Sequence, residues 1–307
     1  MRNTQNSIHS KFILTPIIGI LQDAVNACAG IGNGVETQPL SEYVLQTTFL
    51  KLTGASEQKL KCICWEIATN DLDYRYRYLK KNYGECSSYG DKSSIYKDII
   101  ERISKIENSF TIAKMFDDVD ISAKEKELIE KKIKEAQINQ ERKKNRKLTD
   151  GEVEKLTKGM TAYLNKNGLC EKERTKFSRI VLAENIQEEI DSVIGHSLVA
   201  IWQQQNYNSY KTLWQGIKKY TFAEGDTLLG KELQELYTDY VYAQRNRCAH
   251  NLVSYQNNLP TLKSLIDENY KYNNYYLHFS VLVLLDEIFV RLYKAYQNSL
   301  TGMIAAI

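Results

Sequence analysis

The chain is poor in residues that interrupt helices and in long apolar runs. It contains three prolines and 15 glycines in 307 residues, and few helix breakers over such a length favour a mostly helical protein. The stretch from Phe12 to Ala29 is interrupted by Pro16 and Asp23, and the run from Val281 to Leu285 is closed by Asp286. Neither stretch resembles a signal peptide or a membrane span, so we expect a soluble, cytoplasmic protein.

Cysteines and histidines are too scattered to form an obvious metal site. Cys62 and Cys64 form a C-x-C pair rather than the C-x-x-C pairs of zinc sites, and no histidine lies near them in the sequence. The aspartates Asp117, Asp118 and Asp120 lie close together but lack a glycine-bearing calcium-loop pattern, which favours a solvated turn over a metal cluster. We therefore predict neither a bound metal nor a cofactor.

Apolar spacing predicts an all-α fold, a helical bundle with a charged helical-hairpin insertion. We divide the chain into an N-terminal helical region of unknown role (1–115), the hairpin (116–169) and a C-terminal helical domain (170–307). The expected helices include 41–52, 56–80, 91–109, 228–248 and 275–296. The first two of these are joined at Thr53 and Gly54. The last of these is strongly apolar and fits the centre of a bundle.

The predicted hairpin carries a concentrated positive charge at its tip. Capping-box patterns begin at Ser122 and Thr149, on either side of the turn. The tip contains five cations in six residues, namely Arg142, Lys143, Lys144, Arg146 and Lys147. Such a run is either a solvated surface or a finger that contacts the backbone of RNA or DNA. The net charge of +3 and the pI near 8.3 permit nucleic-acid binding without requiring it.

The stretch from Tyr240 to Asn251 places an arginine, an asparagine and a histidine at the expected end of a helix. The planar guanidinium of Arg245 is suited to binding a phosphate, and the imidazole of His250 can transfer a proton near neutral pH. The chain contains four histidines, so few positions are available for such chemistry. Arg245, Asn246 and His250 are therefore the candidate catalytic residues for cleaving a phosphodiester without a metal.

The spacing between these residues leaves two interpretations open. Arg245 and His250 are five positions apart, which places them about 140° apart around a regular helix. They converge only if the helix ends or bends near Cys248, or if a neighbouring chain supplies the missing partner. The structural alternative is that Arg245 forms a salt bridge with a carboxylate of the bundle and that His250 caps the helix C-terminus.

The segment Arg245-Asn246-Arg247-Cys248-Ala249-His250 resembles the active-site motif of the HEPN superfamily of all-α nucleotide-binding bundles. Active members carry an arginine, a polar residue, two to four further positions and a histidine at a helix terminus. The resemblance covers roughly the C-terminal 130 residues, while the N-terminal half suggests no family. It implies a metal-independent ribonuclease, commonly a toxin or an abortive-infection effector in defence against phage, whose two motifs meet across a dimer interface.

The resemblance also implies roles for individual residues. His250 would act as general base or acid, Arg245 would stabilise charge on the phosphate, and Asn246 would orient either group. Arg247 and the cations of the hairpin tip are candidate substrate-binding residues. We expect RNA and a second copy of the chain as partners, and a regulatory antitoxin or sensor protein is a further candidate. Some family members are restrained by modification of a tyrosine two residues after the histidine, but this position is Leu252 here.

The main rival is a non-catalytic helical module. Such a module would bind nucleic acid or a protein partner through the basic hairpin, and it would not depend on His250. A third interpretation is an antitoxin or sensor subunit whose partner polypeptide carries the activity.

Overall fold

The computed structural model describes residues 7–31, 38–80, 85–144, 147–167, 169–194, 214, 227–250 and 272–305. This part of the chain is 84% helical and contains no strands, so the predicted all-α fold is confirmed. None of its helices is both long and apolar enough to cross a membrane. The sequence also predicts a helix over 207–220, which lies outside the described residues apart from Trp214.

The described residues form eleven α-helices with a short 3-10 turn and a π-helical stretch between them. In chain order the α-helices are α1 (Ile8–Leu14), α2 (Ile18–Ala27), α3 (Gln38–Asn70), α4 (Leu72–Lys80), α5 (Tyr89–Ile106), α6 (Ser122–Lys144), α7 (Asp150–Asn167), α8 (Glu171–Ile194), α9 (Lys231–Leu236), α10 (Ala243–His250) and α11 (Tyr275–Ala305). The 3-10 turn spans Ile112–Phe116, between α5 and α6, and the π-helical stretch spans Tyr237–Tyr242, between α9 and α10.

Helix α3 is one continuous helix, and the predicted break at Thr53 and Gly54 is wrong. A side chain at Gly54 would meet nothing within 4 Å, and the Thr53 hydroxyl donates to the Leu50 carbonyl inside the helix. A glycine inside a helix costs only about 1 kcal/mol, which tertiary packing easily outweighs. The break falls instead at Asp71, whose carboxylate accepts the backbone N–H of Tyr74 at 2.8 Å and caps the start of α4.

Helix α11 lies at the centre of the bundle, as its apolar sequence predicts. Its residues from Tyr275 to Asp286 are all buried, and it packs against α3, α5 and α8. One continuous hydrophobic core joins it to helices from both sides of the hairpin. Residues before 116 and after 169 therefore stabilise each other, and α3 is in a position to contact the C-terminal part of the chain.

Helices α6 and α7 form the predicted hairpin and pack mainly on each other. The backbone N–H of Thr149 donates to the carboxylate of Glu152 at 2.9 Å, which is one half of the predicted capping box. The box predicted at Ser122 is wrong, because the carboxylate of Asp120 accepts the Ser122 N–H at 2.9 Å and takes the capping role. Among the described side chains of α6 and α7, only Ile133 is buried.

The aspartates before α6 form ion pairs. Asp117 accepts from Arg174 of α8 at 2.9 Å, and Asp118 pairs with Arg291 of α11, whose Nη2 donates at 3.0 Å. In the part of the chain that the structure describes, no group of histidine, cysteine and acidic residues is arranged to hold a metal ion. These contacts attach the base of the hairpin to the bundle.

Candidate functional site

The helix that carries the motif contains an irregularity just before it. Helix α9 continues directly into the π-helical stretch Tyr237–Tyr242 and then into α10. The sequence predicts that Tyr240 continues the buried stripe of Leu233 and Leu236, but Val241 is fully buried instead and Tyr240 is half-buried. A π-turn adds one residue to a helical turn, which accounts for this shift. The side chains of α10 are therefore rotated relative to the face that a regular helix would present.

Arg245 is bound by a carboxylate of α3. Its Nε lies 3.2 Å from Oε1 of Glu57, and its Nη2 lies 3.2 Å from Oε2, so the pair is bidentate. The side chains remain 22% and 13% exposed, respectively. Asn246 lies beside them, with its Oδ1 accepting from Arg245 Nη1 at 3.3 Å. The structure thus brings two of the three candidate catalytic residues into one cluster and adds Glu57 to it.

A buried lysine lies close to this cluster. Lys92 of α5 is 1% exposed, its Nζ donates to the Cys86 carbonyl at 2.7 Å, and the same atom lies 5.7 Å from the centre of the Tyr237 ring. The pKa of Lys92 is lowered to about 8, chiefly by burial and in smaller part by the charge of Arg245, whereas the charge of Glu57 acts in the opposite direction. Tyr237 is also buried, which raises its pKa, and its hydroxyl donates to the backbone just after Cys86.

A second ion pair lies further along α3. Lys61, one turn after Glu57, pairs with the exposed Glu85, and this hydrogen bond lowers the pKa of Glu85. The electrostatic influence of Arg245 acts on Glu85 in the same direction. The surroundings of the motif arginine therefore contain three cations, Arg245, Lys61 and Lys92, and three carboxylates, Glu57, Glu85 and Asp91, so the charges of these six groups balance when all are ionised.

Arg247 faces a different neighbour from Arg245. Its Nη2 donates to Gln244 at 2.5 Å and contacts Asn273 at 3.4 Å, just before the start of α11. Its Nε is buried, and none of the described residues forms a hydrogen bond with it. Gln244 in turn donates to the hydroxyl of Tyr275 at 3.4 Å. These contacts tie α10 to the N-terminus of α11 and place Arg247 in a separate polar cluster, apart from the Arg245 cluster.

His250 is the last residue of α10, and its backbone continues the same helix as Arg245. The π-helical stretch ends before Arg245, and α10 is α-helical from Ala243 to His250. In the described structure the chain is therefore still α-helical at Cys248. The two positions differ by about 140° around the axis, so one chain does not place them on a common helix face.

Most of the cationic side chains of the hairpin tip lie outside the described residues. Arg142, Lys143 and Lys144 form the C-terminal end of α6, but their side chains, like the whole of Arg146, lie outside the described residues. Lys147 is described and exposed. Within the described part of the chain, no hydrogen bond or ion pair joins Lys147 to Arg245 or Asn246.

Five residues around Arg245 were not predicted from the sequence, namely Glu57, Lys61, Glu85, Asp91 and Lys92. Glu57 is one of 38 acidic residues, and nothing in its surroundings singles it out. Lys92 carried a usable signal, since it lies three, seven and eleven positions before Ile95, Ile99 and Ile103, on the apolar stripe of α5. A lysine on such a stripe is an exception to normal helix patterning, and buried ionisable groups are concentrated at functional sites.

Comparison with known proteins does not extend these observations. The chain matches no protein-family model, and no similarity to a curated protein or to a solved structure was found. The resemblance to the HEPN superfamily consequently depends on the segment from Arg245 to His250 and on the helical fold.

Proposed function

We propose that the protein is a metal-independent RNA endonuclease of the HEPN type, acting in the cytoplasm in phage defence or as a toxin. The observation that supports the proposal most directly is the geometry of Arg245. Its guanidinium is bound along one edge by Glu57 and is flanked by Asn246, and the side chain remains partly exposed. A fixed guanidinium in such surroundings is suited to stabilising the charge that develops on a phosphate during its displacement.

The reaction would be an in-line attack of a ribose 2′-OH on the adjacent phosphate. The 2′-oxygen forms a bond to phosphorus while the bond to the 5′-oxygen of the next nucleotide breaks. His250 accepts the 2′-OH proton or delivers a proton to the leaving 5′-oxygen, and Arg245 neutralises the phosphate oxygens. The products carry a 2′,3′-cyclic phosphate and a 5′-OH. Because the nucleophile is the 2′-OH, the substrate is RNA.

A second copy of the chain completes the site in this proposal. The regular course of α10 separates Arg245 from His250 within one chain, and a two-fold contact would place Arg245 of one chain beside His250 of the other. An antitoxin or sensor protein that restrains the nuclease until infection would be a further partner.

Cleavage of total RNA by the purified protein in excess EDTA tests the proposal. We expect the wild type to produce fragments with cyclic phosphate ends, and we expect Arg245→Ala and His250→Ala each to abolish this cleavage. Activity that requires a divalent cation, or that persists in both variants, would rule the proposal out. If the wild type is inert, the test is repeated with lysate from phage-infected cells, and continued inactivity counts against a nuclease.

The salt bridge between Arg245 and Glu57 also favours the rival function, a non-catalytic module that binds nucleic acid or a protein through the basic hairpin. An arginine paired with a bundle carboxylate can be purely structural. In that case RNA binding depends on the hairpin tip, where neutralising the five cations from Arg142 to Lys147 by glutamine removes binding. The salt dependence of the affinity would then become weaker, because fewer phosphates are contacted. His250→Ala would bind like the wild type.

A further inference from the structure

Three hydrogen bonds determine which part of the Arg245 guanidinium is available to a ligand. A guanidinium has five N–H groups, one on Nε and two on each Nη. Glu57 accepts from Nε and from Nη2, and Asn246 accepts from Nη1. Within the described part of the chain, one N–H on Nη1 and one on Nη2 remain, and these two atoms form the outer edge of the group.

This outer edge has the geometry that a phosphate requires. Arginine binds a phosphate through two parallel N–H···O hydrogen bonds along one edge. When a carboxylate occupies the edge formed by Nε and Nη2, the edge formed by Nη1 and Nη2 is left for the substrate. An arginine side chain otherwise has about 2 kcal/mol of rotamer entropy, so a fixed partner reduces the cost of adopting the reactive orientation.

Two lysines lie in the electrostatic surroundings of the carboxylate. Glu57 is influenced electrostatically by Lys92 and Lys61 as well as by Arg245. Both lysines come from outside the motif helix, one on α5 and one on α3. The negative charge of Glu57 is therefore shared among three cations, and the Glu57 carboxylate alone does not neutralise them.

We propose that Glu57 is a positioning residue, whose carboxylate binds the inner edge of Arg245 and thereby directs the outer edge toward the scissile phosphate of RNA. This inference rests on the proposed function. It adds a residue from the N-terminal region to the site and assigns that region a part in substrate recognition.

Glu57→Gln tests the inference because it preserves the size of the side chain and removes its charge. A matched control exists on the same helix, since Glu66 is 6% exposed and accepts the Ser7 hydroxyl at 2.8 Å, far from the motif. We expect Glu57→Gln to lower kcat for a short RNA by about 10- to 100-fold with a smaller change in KM, as misplacement of a catalytic group does. Glu66→Gln is expected to retain wild-type kinetics.

Binding of an uncleavable 2′-O-methyl RNA gives a second readout that does not depend on turnover. We expect Glu57→Gln to weaken binding in the wild-type background and to have no further effect in the Arg245→Ala background, because the two residues act as a unit. Thermal melting identifies variants that have failed to fold, and Glu57→Asp, which retains the carboxylate, is expected to recover part of the lost activity.

The outcomes separate the inference from the function on which it rests. If the wild type neither cleaves RNA nor binds the uncleavable strand, the proposed function fails and the inference fails with it. The inference alone is overturned if the wild type is active and Glu57→Gln has the same kinetics or binds the uncleavable RNA more tightly. It is also overturned if Glu57→Gln weakens binding by the same factor in the Arg245→Ala background as in the wild type.

Discussion

Lys59 and Asp286 form an ion pair inside the bundle, with Nζ 2.7 Å from Oδ1 and 3.0 Å from Oδ2. Each side chain is 4% exposed. Asp286 also accepts the backbone N–H of Ile17 at 3.0 Å, and Lys59 donates to the carbonyl of Thr15. The pair thereby fixes α3 against α11 and the turn between α1 and α2. Glu57 lies on α3 only two positions from Lys59, so the pair holds the part of α3 that carries the partner of Arg245.

We expect Lys59→Met to destabilise the protein by about 3–5 kcal/mol, because it leaves the Asp286 carboxylate buried without a counter-ion. Burial already raises the pKa of Asp286, and the charge of Lys59 opposes this shift. The free energy of unfolding is measured by urea denaturation at neutral pH. The double variant Lys59→Met/Asp286→Leu is expected to recover most of the loss, since an apolar pair of similar size replaces the charges.

Lys61→Met provides the matched control, because Lys61 lies on the same helix but forms its ion pair with the exposed Glu85. Exposed pairs contribute little to stability, so a much smaller loss is expected. A loss for Lys59→Met no larger than that for Lys61→Met would contradict the interpretation that the buried pair is essential to the bundle.

His278 is the clearest source of acid sensitivity in the described structure. It is 1% exposed, neither ring nitrogen has a hydrogen-bond partner among the described residues, and burial lowers its pKa to about 3 with a smaller contribution from Arg247. The unfolded chain binds a proton here below about pH 6.5, whereas the folded protein does so only near pH 3. This residue therefore causes stability to fall as the pH decreases from about 6.5 to about 3, by about 1.4 kcal/mol per pH unit.

His278→Phe tests this assignment by keeping a ring of similar shape and removing the titration. The ring packs against Phe49 and Tyr275, with centroids 5.5 Å and 6.0 Å away, so an aromatic replacement preserves those contacts. We expect the variant to be about 1–3 kcal/mol more stable at pH 8, because two unpaired nitrogens are removed, and to lose less stability on acidification. Urea denaturation at pH 8, 6 and 5 measures both effects, and an unchanged pH slope would show that another group is responsible.

The fold could be predicted from the sequence because its determinants are local. The scarcity of proline and the helical spacing of apolar residues identified the all-α class, and the apolar run after Tyr275 identified the central helix. The break at Asp71 was missed because an aspartate can cap a helix or lie exposed on one, and only the bond to the Tyr74 N–H decides between the two. The shift of burial from Tyr240 to Val241 depends on a π-turn, which has no reliable sequence pattern.

The candidate site was only partly accessible to sequence reasoning. The chemistry of Arg245 and His250 follows from their side chains, but the partner of Arg245 lies 188 positions earlier in the chain. Such a contact is determined by how α3 and α10 pack, and a single sequence contains no record of it. The salt bridge that the structural alternative includes is present between Arg245 and Glu57, and it is compatible with both the structural and the catalytic interpretations.

Mixed dimers provide the sharpest test of a site shared between two chains. If Arg245 of one chain acts with His250 of the other, a dimer of an Arg245→Ala chain and a His250→Ala chain retains one complete pair, because the chain that lacks the histidine supplies the arginine. We expect such dimers, co-expressed with two affinity tags and purified through both, to recover about half of the wild-type cleavage of RNA, as expected for one of two symmetric pairs. Dimers that carry the same substitution in both chains serve as controls and are expected to be inactive. Mixed dimers that are folded but inactive would contradict the pairing between chains. A wild-type nuclease that is active as a monomer would exclude this pairing, because α10 of a single chain would then have to change its conformation to bring Arg245 and His250 together.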